Sequence, residues 1–279
     1  MNLIINADDF GLAKSVNKAI IDVFKAGNLT STTLMVNMPG TEDAVALSKQ
    51  NPGLAIGLHF CITEGYPLTD CDSLVDEKGV FVSRETLIKR VYLNKINKKE
   101  VAQEFLAQYN KLLELGINVT HTDSHQHILQ IPFIFQSIKE TLAALKLKVR
   151  IVNPSSFQWS LHPRKWPRIV KNVINYRSAQ KMKRSYKYGM NDALVSIHDK
   201  LTDLSFDQDI YNRLLSECKE THNVELMVHP YILDSELMDM YEAEIDTKLT
   251  FLKICEREYE LLAGKPLFEK FSLINFGNL

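Results

Sequence analysis

The feature that most constrains the fold is a regular alternation of short apolar runs with longer amphipathic segments along most of the 279 residues. Leu3 to Ile5 is too brief and too apolar to be a surface helix, and turn chemistry follows at once, so it reads as a buried strand. Val16, Ala19, Ile20, Val23 and Phe24 then recur at helical spacing, with Ser15 as the expected cap and Gly27 as the stop. Strands are expected near 32–36, 54–58, 148–152, 193–197, 224–228 and 271–274, with another that ends near His121. Helices are expected near 41–49, 84–93, 99–115, 132–145, 168–187, 206–220 and 249–262. Strands that alternate with helices in this way form a largely parallel sheet with helices outside it. About eight such units in this length point to one α/β domain, a single β/α barrel of seven or eight mostly parallel strands over residues 1–279. An open doubly wound sheet is the alternative, without the Gly-rich fingerprint of a dinucleotide binder.

Composition narrows the function classes. Basic residues (33) and acidic residues (34) nearly cancel, so no net field draws nucleic acid or an anionic membrane. Cys61, Cys71, Cys218 and Cys255 have no C-x-x-C spacing and read as reduced, buried thiols, with Cys61 close to His59. No signal-peptide pattern opens the chain and no apolar run approaches a bilayer's thickness, so a cytoplasmic protein with no membrane partner is expected. The segment 153–167, with its prolines and tryptophans, reads as a long functional loop inserted in the barrel.

The chemistry-bearing residues gather where strands end. Asp8 and Asp9 follow the first strand, in the run Asn6-Ala7-Asp8-Asp9-Phe10-Gly11, and His59 ends the third. His121, Asp123, His125 and His127 crowd the end of the fourth; Arg150 and Asn153 follow the fifth, His198 the sixth and His229 the seventh. Barrel enzymes build their sites on this C-terminal face. Adjacent carboxylates repel unless a cation or proton resolves the conflict, so a metal on one leaves the other free as a base. A carboxylate and two imidazoles from separate strands make a site with open positions for water. Histidines two apart on an extended chain point the same way, so His125 and His127 compete as ligands, with His121 and Asp123 as outer support.

The blocks Asn6-Ala7-Asp8-Asp9-Phe10-Gly11, Gly57-Leu58-His59-Phe60, Thr120-His121-Thr122-Asp123-Ser124-His125-Gln126-His127 and Val228-His229-Pro230 resemble, in order, those of the YdjC-like carbohydrate deacetylases. That resemblance implies a barrel related to the polysaccharide deacetylases and metal-dependent removal of an N-acetyl group from small amino-sugar oligosaccharides such as diacetylchitobiose or its 6-phosphate. It implies Asp9, His59 and His125 as metal ligands, Asp8 as general base, His229 as general acid and Arg150 as the residue that holds Asp8. The ion implied is Mg²⁺, although two imidazoles favour Zn²⁺ or another transition ion. A homodimer is expected. Trp159, Trp166, Phe157 and Tyr231 read equally as apolar surface for a sugar or as ordinary loop anchors, and Arg164, Lys165 and Arg168 read as a solvated basic loop in preference to a sugar-phosphate contact. The competing readings are a metal-dependent phosphoesterase on the same residues and a non-catalytic sugar-binding regulator.

Overall fold

The computed structural model describes residues 1–154, 166–199, 204–218 and 221–279. Its centre is β1 (Asn2–Phe10), in which every residue from Leu3 onward is buried. A strand covered on both faces must be parallel and interior, which explains why Leu3 to Ile5 shows no alternation. Around it lie β2 (Ser31–Leu34), β3 (Ala55–Phe60), β4 (Val119–Ser124), β5 (Lys148–Val149), β6 (Ala193–Val195) and β7 (Asn223–Val228). Their order is β5-β4-β3-β2-β1-β7-β6, and all named pairs are parallel. The two outer edges approach each other through single bridges, Val149 with Met190 and Pro154 with Leu194, where Leu194 N–H donates to Asn153 O at 2.9 Å. The sheet is therefore a barrel with an incomplete seam. A short β8 (Ser272–Leu273) pairs with the first residues of β1.

The helices cover the outside: α1 (Lys14–Lys25), α2 (Thr41–Gln50), α3 (Arg84–Tyr92), α4 (Lys98–Glu114), α5 (Pro132–Leu145), α6 (Trp166–Ser185), α7 (Asp209–Ser216), α8 (Ser235–Met240) and α9 (Ile245–Leu262). In α1, Val16, Ala19, Ile20 and Val23 form the buried stripe that the spacing predicts. Ser15 does not cap it. Ala13 occupies the cap position, and the Ser15 hydroxyl lies inside the first turn without a hydrogen-bond partner. Two later helices do use side-chain caps, Ser83 on Thr86 N–H and Asn97 on Lys99 N–H. The helix α8, capped by Asp234, was not expected, because its single turn and a half is too short to show periodicity.

Two glycines explain their own motifs. A Cβ on Gly11, whose φ is +94°, would lie 2.5 Å from Met35 O. A Cβ on Gly57 would stand 2.6 Å from the His121 ring, so the glycine in Gly57-Leu58-His59 makes room for an imidazole on β4. Residues 155–165 fall outside the described residues, and with them Phe157, Trp159, Arg164 and Lys165. The side chains of Trp166 and Arg168 also lie outside the description.

Candidate metal centre and active site

Successive side chains on a strand face opposite ways, so Asp8 and Asp9 should not share a pocket. They do because β1 changes register between Ala7 and Phe10, and Asp9 takes the left-handed conformation at φ +66°. This bulge turns both carboxylates into one cavity of about 320 Å³, together with His59, His125, His198 and His229. Asp tolerates that backbone state better than most residues.

Asp8 is clamped. Arg150 donates to both of its oxygens at 2.6 Å, and Asn6 Nδ2 donates to Oδ1 at 3.0 Å. The same guanidinium reaches Asp123 Oδ2 at 2.5 Å and Glu225 Oε1 at 2.6 Å. Burial alone pushes the Asp8 carboxyl up, but the charge and hydrogen bonds of Arg150 outweigh it and hold it well below the usual carboxylate range. Glu225 goes the other way: burial dominates Arg150 and pushes its pKa up to about 8.

Asp9 is arranged differently. Its Oδ2 accepts a short hydrogen bond from the Tyr231 hydroxyl, while its buried Oδ1 accepts none and lies 3.2 Å from His59 Nε2. The other ring nitrogen of His59 meets Asp123 Oδ1 at 2.7 Å and Thr33 Oγ1 at 3.1 Å. A carboxylate behind the imidazole directs its far nitrogen into the cavity, the usual outer support of a metal-binding histidine. Burial opposes charge on His59, but Asp123 and Asp9 outweigh it and raise its pKa well above the ordinary value.

His125 borders the same cavity, with its ring centroid 5.9 Å from that of His59. Thr63 Oγ1 lies 2.9 Å from its Nδ1 and Glu64 Oε2 3.4 Å from its Nε2. Burial works against its charge, but Cys61 and Glu64 lift its pKa to about 9. Any cation bound there must first displace a proton. His125 and His127 do not lie on an extended chain. Gln126 and His127 are both left-handed, with φ of 51° and 56°, so the geometric premise of their competition fails. His121 lies one step further back: its Nε2 is 3.2 Å from Asn6 Oδ1, and its ring stacks on Phe276 at 4.1 Å.

Among the described residues, one close-set group of potential ligand atoms is Asp8, His59 and Asp123. This buried group can hold a divalent cation. Arg150 already occupies Asp8 and Asp123, whereas Asp9 Oδ1 has no cationic partner other than His59, at 3.2 Å.

On the opposite wall, His229 Nε2 stands 3.9 Å from both Asp8 Oδ2 and Asp9 Oδ2. Burial and the neighbouring His198 lower its pKa. Its backbone N–H donates to buried Glu258 at 2.7 Å, and His198 Nε2 lies 3.6 Å from the same carboxylate oxygen. Asn153 does not enter the cavity; its side chain donates to Asp192 O at the barrel seam. Sequence reasoning overlooked Thr33, Glu64, Glu225, Tyr241, Phe251 and Glu258. Only Glu225 left a readable signal, a lone charge inside the apolar strand Asn223–Val228.

Comparison with known proteins is consistent with this geometry. Residues 2–272 match the family model described as YdjC-like protein. A chitooligosaccharide deacetylase of Yersinia enterocolitica is 36% identical over 239 residues, 85% of this chain and 84% of that protein. A carbohydrate deacetylase of Brevibacillus brevis is 30% identical over 283 residues, spanning 100% of both. Among solved structures, a protein of Enterococcus faecalis provisionally described as a cellobiose-phosphate cleavage protein superposes with a TM-score of 0.74. It shares 23% identity and covers 99% of this chain and 98% of its own, a likeness of fold.

Proposed function

The chain belongs to the YdjC-like protein family, and from that premise we propose that it is a metal-dependent carbohydrate N-deacetylase. It removes an acetyl group from small amino-sugar oligosaccharides of the diacetylchitobiose kind, phosphorylated or not, and releases acetate. The observation that carries the reading is the split between two neighbouring carboxylates, Asp8 clamped by Arg150 and Asp9 with no cationic partner for its Oδ1 other than His59. A sugar-binding protein has no use for a second, separately held carboxylate; a hydrolase needs one group for a cation and another for a proton.

Asp9, His59 and His125 would hold the cation. The donor set of one carboxylate and two imidazoles fits Zn²⁺ or another transition ion better than the Mg²⁺ suggested by the family resemblance. When bound, a divalent ion there supplies Lewis acidity toward the acetyl carbonyl and a more acidic water. Asp123 and Thr33 keep the His59 ring aimed at the cavity. Asp8, kept ionised by Arg150, accepts a proton from the attacking water. Attack on the carbonyl carbon produces a tetrahedral species, and the C–N bond breaks as the nitrogen gains a proton. His229, whose Nε2 stands 3.9 Å from both Asp8 and Asp9, is the group that gives a proton to the leaving amine. In the same proposal the enzyme is a cytoplasmic homodimer.

The test is acetate release from N,N′-diacetylchitobiose, its trimer and their phosphates, after removal of metal and after addition of Zn²⁺, Mn²⁺, Co²⁺ or Mg²⁺. Metal-restored acetate release is expected. Release of phosphate without acetate would establish the phosphoesterase reading instead.

A further inference from the structure

We propose that Phe251 of α9 is the platform on which the pyranose bearing the acetamido group stacks, and that Lys248 donates to that sugar's hydroxyl groups from the cavity rim. The proposal rests on the deacetylase reading and adds the part of the site that grips the sugar. Carboxylates and imidazoles are half of the residues lining the cavity; Phe251, Tyr231, Tyr241 and Met227 supply its apolar side chains. A pyranose has a C–H face and a girdle of hydroxyls, so it needs one flat apolar wall with polar groups around it.

Phe251 meets that need because its ring is half-buried and held from several sides. It contacts His229 at 5.6 Å and Tyr231 at 6.2 Å between centroids, both edge-on, and His198 at 4.9 Å. A ring so supported has little rotational freedom to lose on binding. Its neighbour His229 faces Asp8 and Asp9, so a sugar lying on Phe251 has its nitrogen substituent directed toward the reacting groups. Thr247, Lys248 and Phe251 line the same cavity from α9. The Lys248 ammonium sits 3.7 Å over the Tyr241 ring and 3.2 Å from Glu244. It is thus positioned without being buried, as a donor to hydroxyls must be. A cavity of about 320 Å³ is at the small end of ligand sites, suited to one sugar ring with its acetamido group. The ligand class is a terminal 2-acetamido-2-deoxypyranose.

Three variants of the metal-loaded enzyme, compared with wild type, test this: Phe251→Leu, which keeps bulk but loses the flat face, Phe251→Trp and Lys248→Met. With N,N′-diacetylchitobiose, Phe251→Leu should raise KM about tenfold while kcat stays within about threefold, because stacking contributes to ground and transition state alike. Phe251→Trp should keep KM near wild type, and Lys248→Met should raise it about threefold. Unchanged KM with reduced kcat in Phe251→Leu would overturn the proposal, since the ring would then only prop His229. Ligand-observed saturation-transfer NMR with the same disaccharide needs no turnover. Transfer in wild type that disappears in Phe251→Leu supports the platform, and equal transfer in both overturns it. Acetate release absent from wild type would sink the deacetylase reading, while the NMR arm still decides the sugar site.

Discussion

Strands β1 to β4 and strands β5 to β7 treat buried charge in opposite ways. β1 runs for 9 residues, its ladder to β2 interrupted by the bulge after Ala7, and the first half of the barrel holds Asp8, Asp9, His59 and Asp123 side by side. The second half has a β5 of 2 residues and a β6 of 3, joined across the seam by single bridges. From it come Arg150, Glu225 and His229. The acid-rich half therefore depends on a cation delivered by the weaker half, and the clamp between them also ties the seam side of the barrel to its centre. Buried like charges cannot simply be stacked; they must be paired or protonated, and here Arg150 pairs them while burial raises the pKa of Glu225.

The most damaging way to break this division is Arg150→Met. It leaves Asp8, Asp123 and Glu225 without their shared cation, and removal of one partner from a buried ion pair costs about 3–5 kcal/mol. Urea unfolding should show a loss of that size, with acetate release abolished. A loss below about 1 kcal/mol would mean that the two halves stand independently of the clamp.

Next in size is the separation of the two aspartates. Asp8→Asn should lose roughly 10²-fold or more in turnover while retaining metal, since general-base catalysis carries a factor of that order. Asp9→Asn should lose metal affinity, with activity partly restored by added ion. Metal content and acetate release on both variants distinguish the roles, and the reverse pattern would exchange them.

Within the first half, Gly57→Ala places a methyl group against the His121 ring and should destabilise by about 1–3 kcal/mol, the usual range for overpacking. The double variant Gly57→Ala/His121→Ala should recover part of that loss, because the two residues couple only through contact. Additive losses would place the strain elsewhere.

An effect confined to a pH window sharpens the account of Glu225, which is faced by Arg150, Asp8 and Asp123. Its ordinary value is 4.5 and its folded value about 8. Between these, the folded state holds a proton that the unfolded chain has released, so this group's stabilising contribution falls as pH rises through the window. Glu225→Gln, which keeps shape and cannot ionise, should flatten that part of the profile. On metal-free protein, Tm at the alkaline end should gain on wild type relative to the acid end; parallel profiles would refute the assignment.

Much of this was legible along the chain, for reasons that differ by element. The apolar run at Leu3 to Ile5, the stripe of α1 and the Pro132 start of α5 follow from local periodicity and turn chemistry, and they appear close to where the spacing places them. The strand expected over 148–152 shrinks to two residues, Lys148–Val149, although the Arg150 N–H still donates to Thr122 O at 3.0 Å. The residues that orient the site, Thr33, Glu64 and Glu258, are ordinary strand, loop and helix residues in sequence. Their importance lies in partners far along the chain.

By itself, the sequence determined that strand ends carry acids and imidazoles, that helices separate them, and that a parallel barrel would gather them on one face. Periodicity and residue type are local properties, and one chain displays them fully. Only the tertiary structure decided that two neighbouring aspartates share a cavity, that Arg150 clamps one of them, and that Phe251 lines the same cavity from α9. A bulge, a salt-bridge partner and a ring contact each depend on residues from distant segments meeting at a few ångströms, and linear spacing does not encode that distance.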